Sequence, residues 1–126
     1  MANDAKVTFF SEALQQIDAG VQRALELTAE VVHGEVVQEQ VMPFDQGHLQ
    51  NDSTFVDTSE SAAGHVDLVS STPYARRLYY HPEYNFSKEE NPNAGAGWFD
   101  KWADGGDQNE KVQQTFAALL KREAGL

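Results

Sequence analysis

The chain has 126 residues, no cysteine, and a formal net charge of −11 from 20 acidic residues against 9 Lys and Arg residues. This length fits one domain, which we predict to span residues 1–126. The acidity argues against a protein that grips a nucleic-acid backbone, because that requires clustered Lys and Arg, and without cysteine there is neither a disulfide nor thiol catalysis.

The distribution of apolar residues argues against a membrane protein. No apolar run approaches the roughly 20 residues that span a bilayer. Residues 1–10 contain one Lys and a short apolar patch, and lack the long apolar middle and the small-residue cleavage site of a secretory signal. We therefore expect synthesis in a cytoplasm and no membrane partner.

The first predicted element is a long helix from Phe10 to Val41. Apolar residues recur at helical spacing along it, among them Leu14, Ile17, Val21 and Leu25. The turn that follows, "MPFDQGHLQNDS", is rich in residues that interrupt helices. We predict that this turn is shaped by Pro43, Asp45 and Gly47.

A β-hairpin is predicted next, with strands at Thr54 to Thr58 and His65 to Ser70. Apolar and polar residues alternate in both segments, and "SESAAG" separates them. Because a hairpin alone is rarely stable, the sheet is expected to contain more than these two strands. The predicted fold is α+β, with the long N-terminal helix and the C-terminal helix packed on a small antiparallel sheet.

The C-terminal half alternates short helices with irregular chain. A short helix is predicted from Pro73 to Tyr80, followed by a loop over 82–97 that is long for a compact domain. We interpret loop 82–97 as an interaction extension. A last helix, capped by Asp107, is predicted to run through Glu123.

No constellation of residues indicates catalysis. The four histidines lack metal-binding spacing, and the chain has neither a phosphate-binding glycine loop nor a GxSxG nucleophile elbow. We predict a protein that is not an enzyme and needs no cofactor or metal. The alternative that stays open is a catalytic pair of carboxylates, since an acidic chain offers many pairs.

The most unusual stretch runs from Ser71 to Trp102 and collects large aromatic side chains beside two arginines. Part of the set could fill a core, since Trp98 and Trp102 are four residues apart and could clamp the last helix. The rest exceeds what a small interior needs, and surplus Tyr, Trp and Arg is typical of protein interfaces. A platform for stacking single-stranded nucleic acid is less favoured, because acidic residues outnumber the nearby basic ones. The predicted interface residues are Arg76, Arg77, Tyr79, Tyr80, Phe86, Trp98, Phe99 and Trp102.

These motifs together resemble the minor capsid and head–tail connector proteins of tailed bacteriophages. The turn matches a Pro-x-Asp-x-Gly-x-Leu pattern that ends at Leu49, and a Pro-Tyr-Ala segment at 73–75 follows the hairpin. The more specific part of the resemblance is carried by Tyr79, Tyr80, Phe86, Asn91, Pro92, Trp98 and Trp102.

The resemblance implies a structural virion protein without catalytic residues, made in the host cytoplasm. It would form a ring, expected to be six-fold, in the neck between head and tail, where it would join the head to the tail or complete the tail. Its partners would be neighbouring neck, portal-side or tail-tube proteins. DNA would pass through the bore without specific binding, and an acidic wall suits that passage because it repels phosphates. The alternative is a small monomeric adaptor that binds another protein through the aromatic loop.

Overall fold

The computed structural model describes residues 5–9, 19–43, 50, 53–72 and 74–123. The predicted α+β class is confirmed, since the described residues form three helices and a three-stranded antiparallel sheet. The elements are β1 (Ala5–Phe9), α1 (Ala19–Gln38), β2 (Thr54–Asp57), a 3-10 helix (Ser61–Ala63), β3 (Val66–Ser70), α2 (Ala75–Tyr79) and α3 (Asn109–Glu123).

The sheet has the order β1-β3-β2, which places β3 at its centre. Val7 of β1 and Val56 of β2 both pair with Leu68 of β3. The predicted hairpin is confirmed as β2 and β3, with both strands slightly shorter than expected. β1 was not predicted individually, although Ala5, Val7 and Phe9 alternate with polar residues and carry the usual signal of a half-buried strand.

The two faces of the sheet differ because successive side chains of a strand point in opposite directions. Val7, Phe9, Val66 and Leu68 lie on the face that joins the hydrophobic core with α1. On the opposite face, Asp67 is buried between strands. The Thr8 hydroxyl donates a 2.5 Å hydrogen bond to Asp67 Oδ1, and Lys6 Nζ lies 3.7 Å from Asp67 Oδ2. These two partners compensate the burial of the Asp67 carboxylate.

Helix α1 packs against the sheet with one side and against α3 with another. Leu25, Val32 and Val36 of α1 are fully buried, and α3 contributes Val112 and Phe116 to the same core. The salt bridges across this contact, Arg23–Glu123 and Lys111–Glu35, join exposed basic side chains to half-buried carboxylates, and solvent screens them. Burial of apolar surface therefore holds the helices together.

The predicted boundaries of the first helix need correction at its C-terminal end. α1 ends at Gln38 rather than at Val41, because the chain turns at Gln40, whose φ of 57° is left-handed. The helix thus ends before Pro43 is reached. The predicted start at Phe10 lies outside the described residues, as do Asp45 and Gly47.

The remaining predictions agree with the structure to within a few residues. α2 falls inside the predicted short helix and α3 ends at Glu123 as expected, but α3 begins at Asn109, so Asp107 lies in the preceding turn rather than at its cap. Loop 82–97 contains neither helix nor strand.

Two glycines provide a matched test of local packing. A methyl group at Gly106 would collide with the main-chain oxygens of Asp100 and Lys101, whereas one at Gly34, inside α1, would meet open space. We expect Gly106→Ala to lower the free energy of unfolding by about 1–3 kcal/mol through overpacking. Gly34→Ala should raise it by about 0.5–1 kcal/mol, because alanine favours helix. Urea denaturation measures the free energy of unfolding of both variants. Equal effects of the two substitutions would contradict the close approach of Gly106 to the main chain of Asp100 and Lys101.

Candidate functional site

A hydrogen-bonded turn over residues 97–103, here named the tryptophan turn, buries the largest side chains of the chain. Trp98, Phe99 and Trp102 are 2%, 0% and 0% exposed, respectively. Both indoles have polar partners inside the fold. Trp98 Nε1 donates to Ser70 Oγ at 3.2 Å, and Trp102 Nε1 donates to Glu35 Oε1 at 3.2 Å. A buried indole is stable where its N–H finds an acceptor, so these side chains belong to the core.

This burial corrects the prediction that Trp98, Phe99 and Trp102 anchor a contact with another chain. In this structure the three side chains are covered by their own fold and offer a neighbour almost no surface. Composition alone could not reveal this, because the space that they fill lies between elements distant in sequence. The four-residue spacing of the two tryptophans was the signal in favour of a core role.

Tyr79 joins α2 to the tryptophan turn. Its hydroxyl donates a 2.6 Å hydrogen bond to Asp100 Oδ1, and its ring lies 4.7 Å from the Trp98 ring in an edge-on arrangement. Its carbonyl accepts the Gly97 N–H at 2.9 Å. Burial, reinforced by the hydrogen bond to Asp100, raises the pKa of the Tyr79 hydroxyl well above its ordinary value. Tyr79 therefore fixes the position of α2, while any role at an interface stays a prediction.

An exposed patch remains on the outer side of α2. We name it the arginine–tyrosine surface, and it consists of Tyr74, Arg76, Arg77, Tyr80 and Tyr84. Tyr74 is 46% exposed and Tyr80 is 62% exposed. Arg76 Cζ lies 5.7 Å from the centre of the Tyr80 ring, and Arg77 Cζ lies 5.7 Å from that of Tyr84. Each guanidinium thus lies over an aromatic ring, a geometry that favours cation–π attraction.

The two arginines differ from several other basic side chains in having no carboxylate partner among the described residues. Ion pairs at 2.6–3.9 Å engage Lys6, Arg23, Lys101, Lys111 and Arg122. Neither Arg76 nor Arg77 forms an ion pair with any described residue; Arg77 Nε instead donates to the Tyr84 hydroxyl at 2.9 Å. The arginine–tyrosine surface is therefore a locally positive, aromatic patch on a strongly acidic chain.

Loop 82–97 divides into a part attached to the fold and a part that is more exposed. Asn91 is buried and donates through Nδ2 to the Met42 carbonyl at 2.8 Å, and Gly95 N–H donates to the Val41 carbonyl at 3.2 Å. Most residues over 82–90 are exposed, and Phe86 among them is half-buried. The stretch available to a partner is therefore narrower than the predicted extension.

The start of this loop stays close to α2. The His81 and Tyr84 rings stack with centres 4.7 Å apart and an interplanar angle of 8°. His81 Nδ1 lies 2.7 Å from Glu83 Oε2, and this contact lowers the pKa of the Glu83 carboxyl. The stack holds the Tyr84 ring in a position where the Arg77 guanidinium can lie over it.

The carboxylates near the tryptophan turn surround an open depression of about 480 Å³, lined in part by Asp100, Asp104 and Asp107.

Across the described ranges, no group of three or more His, Asp or Glu residues is arranged to hold a metal ion. None of the described helices combines the length and apolarity that a membrane span requires.

Comparison with known proteins gave no match to a family model, to a curated protein or to a solved structure.

Burial predicts effects of very different size on stability for two aromatic substitutions. Trp102→Ala should lower the free energy of unfolding by about 3–5 kcal/mol, because it leaves a large cavity and removes the hydrogen bond to Glu35 Oε1. Tyr80→Ala should change it by no more than about 0.5 kcal/mol, because the ring is mostly exposed. Chemical denaturation of both variants measures the difference. Comparable losses, or a Trp102→Ala variant as stable as the parent, would contradict the assignment of the indoles to the core.

The raised pKa of Tyr79 predicts a loss of stability in alkaline solution. In the unfolded chain the Tyr79 hydroxyl loses its proton at a pH of about 10, whereas in the folded protein it retains that proton. The free energy of unfolding should therefore fall as the pH rises through about 10. Tyr79→Phe should make this fall shallower, and Asp100→Asn, which removes the charged acceptor, should do so in part. Denaturation curves between pH about 8 and 11 test this, and an unchanged slope in Tyr79→Phe would contradict it.

Proposed function

We propose that this protein is a structural virion protein that forms a ring in the neck between the head and tail of a tailed bacteriophage. The observation that carries the proposal is the arginine–tyrosine surface, which stays outside a core that is already filled. Tyr and Arg are enriched at the centres of protein interfaces, where they supply much of the binding energy. Two arginines without carboxylate partners among the described residues suit a contact with another acidic chain.

The complete core favours a subunit that folds before it assembles. The buried tryptophans satisfy their own polar groups, so the chain does not need a neighbour in order to cover them. The exposed tyrosines and arginines then provide a polar and aromatic contact of the kind made by subunits that are soluble before they associate. The subunits of a neck ring that are produced separately must fold before they assemble.

The charge of the chain suits a conduit for DNA. With a net charge of −11, most of the surface repels phosphates, so a bore lined by this protein would let DNA slide without holding it. The placement in a phage neck rests on the resemblance carried by the turn after α1, by the Pro-Tyr-Ala segment and, more specifically, by the aromatic stretch from Tyr79 to Trp102.

The proposal is tested by removing the protein from the phage that encodes it. Particles made without it should contain filled heads that do not join to tails, and adding purified protein to the extract should restore joining. A variant with Arg76→Ala, Arg77→Ala and Tyr80→Ala should restore joining at least about tenfold less well, because it lacks three candidate contact residues. Lys121→Ala, at an exposed position on α3, is the matched control and should act like the parent protein.

Two results would overturn the proposal. Normal infectious particles formed without the protein would exclude a role in joining. Its absence from purified particles, together with stable binding of a single copy to another protein, would favour the monomeric adaptor.

A further inference from the structure

The topology separates two differently charged surfaces by the length of the sheet. β3 runs from Val66 to Ser70, and α2 begins five residues later at Ala75. The turn between β2 and β3, from Asp57 at the end of β2 to His65, is at the opposite end of β3. Five residues of strand at about 3.3 Å each keep the two ends about 15 Å apart. α2 and this connection therefore lie at opposite ends of the sheet.

The connection forms an exposed acidic tip, which we name the hairpin tip and define as residues 57–60. Thr58, Ser59 and Glu60 are exposed, and Asp57 is half-buried. The sequence contains no Lys or Arg between Arg23 and Arg76. The cationic groups that act on Asp57 are Lys6 of β1, which pairs with Asp67, and His65 just before β3. The hairpin tip thus presents two carboxylates at the end of the sheet farthest from the arginine–tyrosine surface.

The hairpin tip is also held in place by the fold. Asp57 Oδ1 accepts the Ser59 N–H at 2.9 Å, and this bond lowers the pKa of the Asp57 carboxyl and keeps it charged. Immediately after the tip, the buried Ser61 donates to Glu26 Oε2 at 2.8 Å and accepts from Gln22 Nε2 at 3.1 Å. These bonds fasten the hairpin to α1, so the Asp57 carboxylate and the main chain at Glu60 lose little freedom when a partner binds.

We propose that the arginine–tyrosine surface of one copy binds the hairpin tip of the next copy, with Arg76 and Arg77 facing Asp57 and Glu60. This inference rests on the proposed function and identifies the contact between ring subunits. Because the two surfaces differ and lie at opposite ends of the subunit, the contact is head-to-tail, and such contacts close into rings when the rotation between copies allows it.

The pairing has a physical basis on both sides. The guanidinium groups lie over tyrosine rings, which limits the conformational freedom that they lose on binding, and arginine can engage a carboxylate through two parallel hydrogen bonds. The main alternative partner for Arg76 and Arg77 is the Asp100 carboxylate of another copy. It lies beside α2 and bonds to Tyr79, so contacts with carboxylates of the tryptophan turn would suit a two-fold dimer rather than a ring.

Charge reversal tests the contact. One variant carries Arg76→Glu and Arg77→Glu, and the other carries Asp57→Lys and Glu60→Lys. Each alone should restore head–tail joining in the extract at least about tenfold less well than the parent protein, since each places like charges across the contact. An equal mixture of the two should recover most of the lost activity, because every contact in an alternating ring is then complementary. A single chain with all four substitutions should recover as well.

Matched controls separate this inference from the proposed function. Asp104→Lys with Asp107→Lys reverses the same amount of charge just after the tryptophan turn, and this variant should join heads to tails like the parent. Glu60→Lys alone leaves the Asp57–Ser59 bond intact and should show a partial loss, which guards against a folding defect in the double variant. Circular dichroism and urea denaturation confirm that each variant is folded.

The overturning results differ for the two proposals. Normal joining by the Asp57→Lys, Glu60→Lys variant would exclude the hairpin tip while leaving the neck function intact. Rescue of Arg76→Glu, Arg77→Glu by Asp104→Lys, Asp107→Lys, and not by the tip variant, would replace the ring contact with pairing through the tryptophan turn. Normal joining of heads to tails in the absence of the protein would rule out the proposed function itself.

Discussion

The structure depends on the burial of two tryptophans whose indole N–H groups are both satisfied inside the fold. Trp98 bonds to Ser70 at the end of β3, and Trp102 bonds to Glu35 in α1, so one turn links the sheet to the helical layer. Tyr79 then fixes α2 on this turn through Asp100 and the Trp98 ring. The position of the arginine–tyrosine surface is therefore a consequence of how the indoles are packed.

This arrangement divides the aromatic stretch into an inner and an outer set with different chemistry. The inner set is apolar and contributes to stability by removing large rings from water. The outer set combines tyrosine hydroxyls with guanidinium groups, so a contact made by it should weaken as salt is added. In the proposed ring, a subunit with this division would stay dispersed on its own and associate with its neighbour through charge. The acidic remainder of the surface then discourages contacts in other orientations.

The sequence was sufficient to predict the elements with strong periodicity and insufficient to predict which rings face inward. Alternation at Phe55, Val66 and Leu68 identified the hairpin, and helical spacing identified α1 and α3, because those patterns are local. β1 escaped assignment because its five residues adjoin a longer helical pattern that begins at Phe10. The tryptophans were misplaced at a surface because their acceptors, Ser70 and Glu35, are far away in sequence. Tyr80 and the two arginines are exposed, as an interface requires, but their contact with another chain stays a prediction.

The central claim is that Trp98 and Trp102 are buried in the core of the subunit, whereas the exposed Tyr74 and Tyr80 contact a neighbouring subunit. Hydroxyl-radical footprinting of the isolated protein and of assembled particles tests this most directly, because it reports the solvent access of each ring separately. The account predicts that Trp98 and Trp102 are protected in both states, whereas Tyr74 and Tyr80 react in the isolated protein and become protected on assembly. Tryptophans that react in the isolated protein, or tyrosines equally reactive in both states, would contradict it.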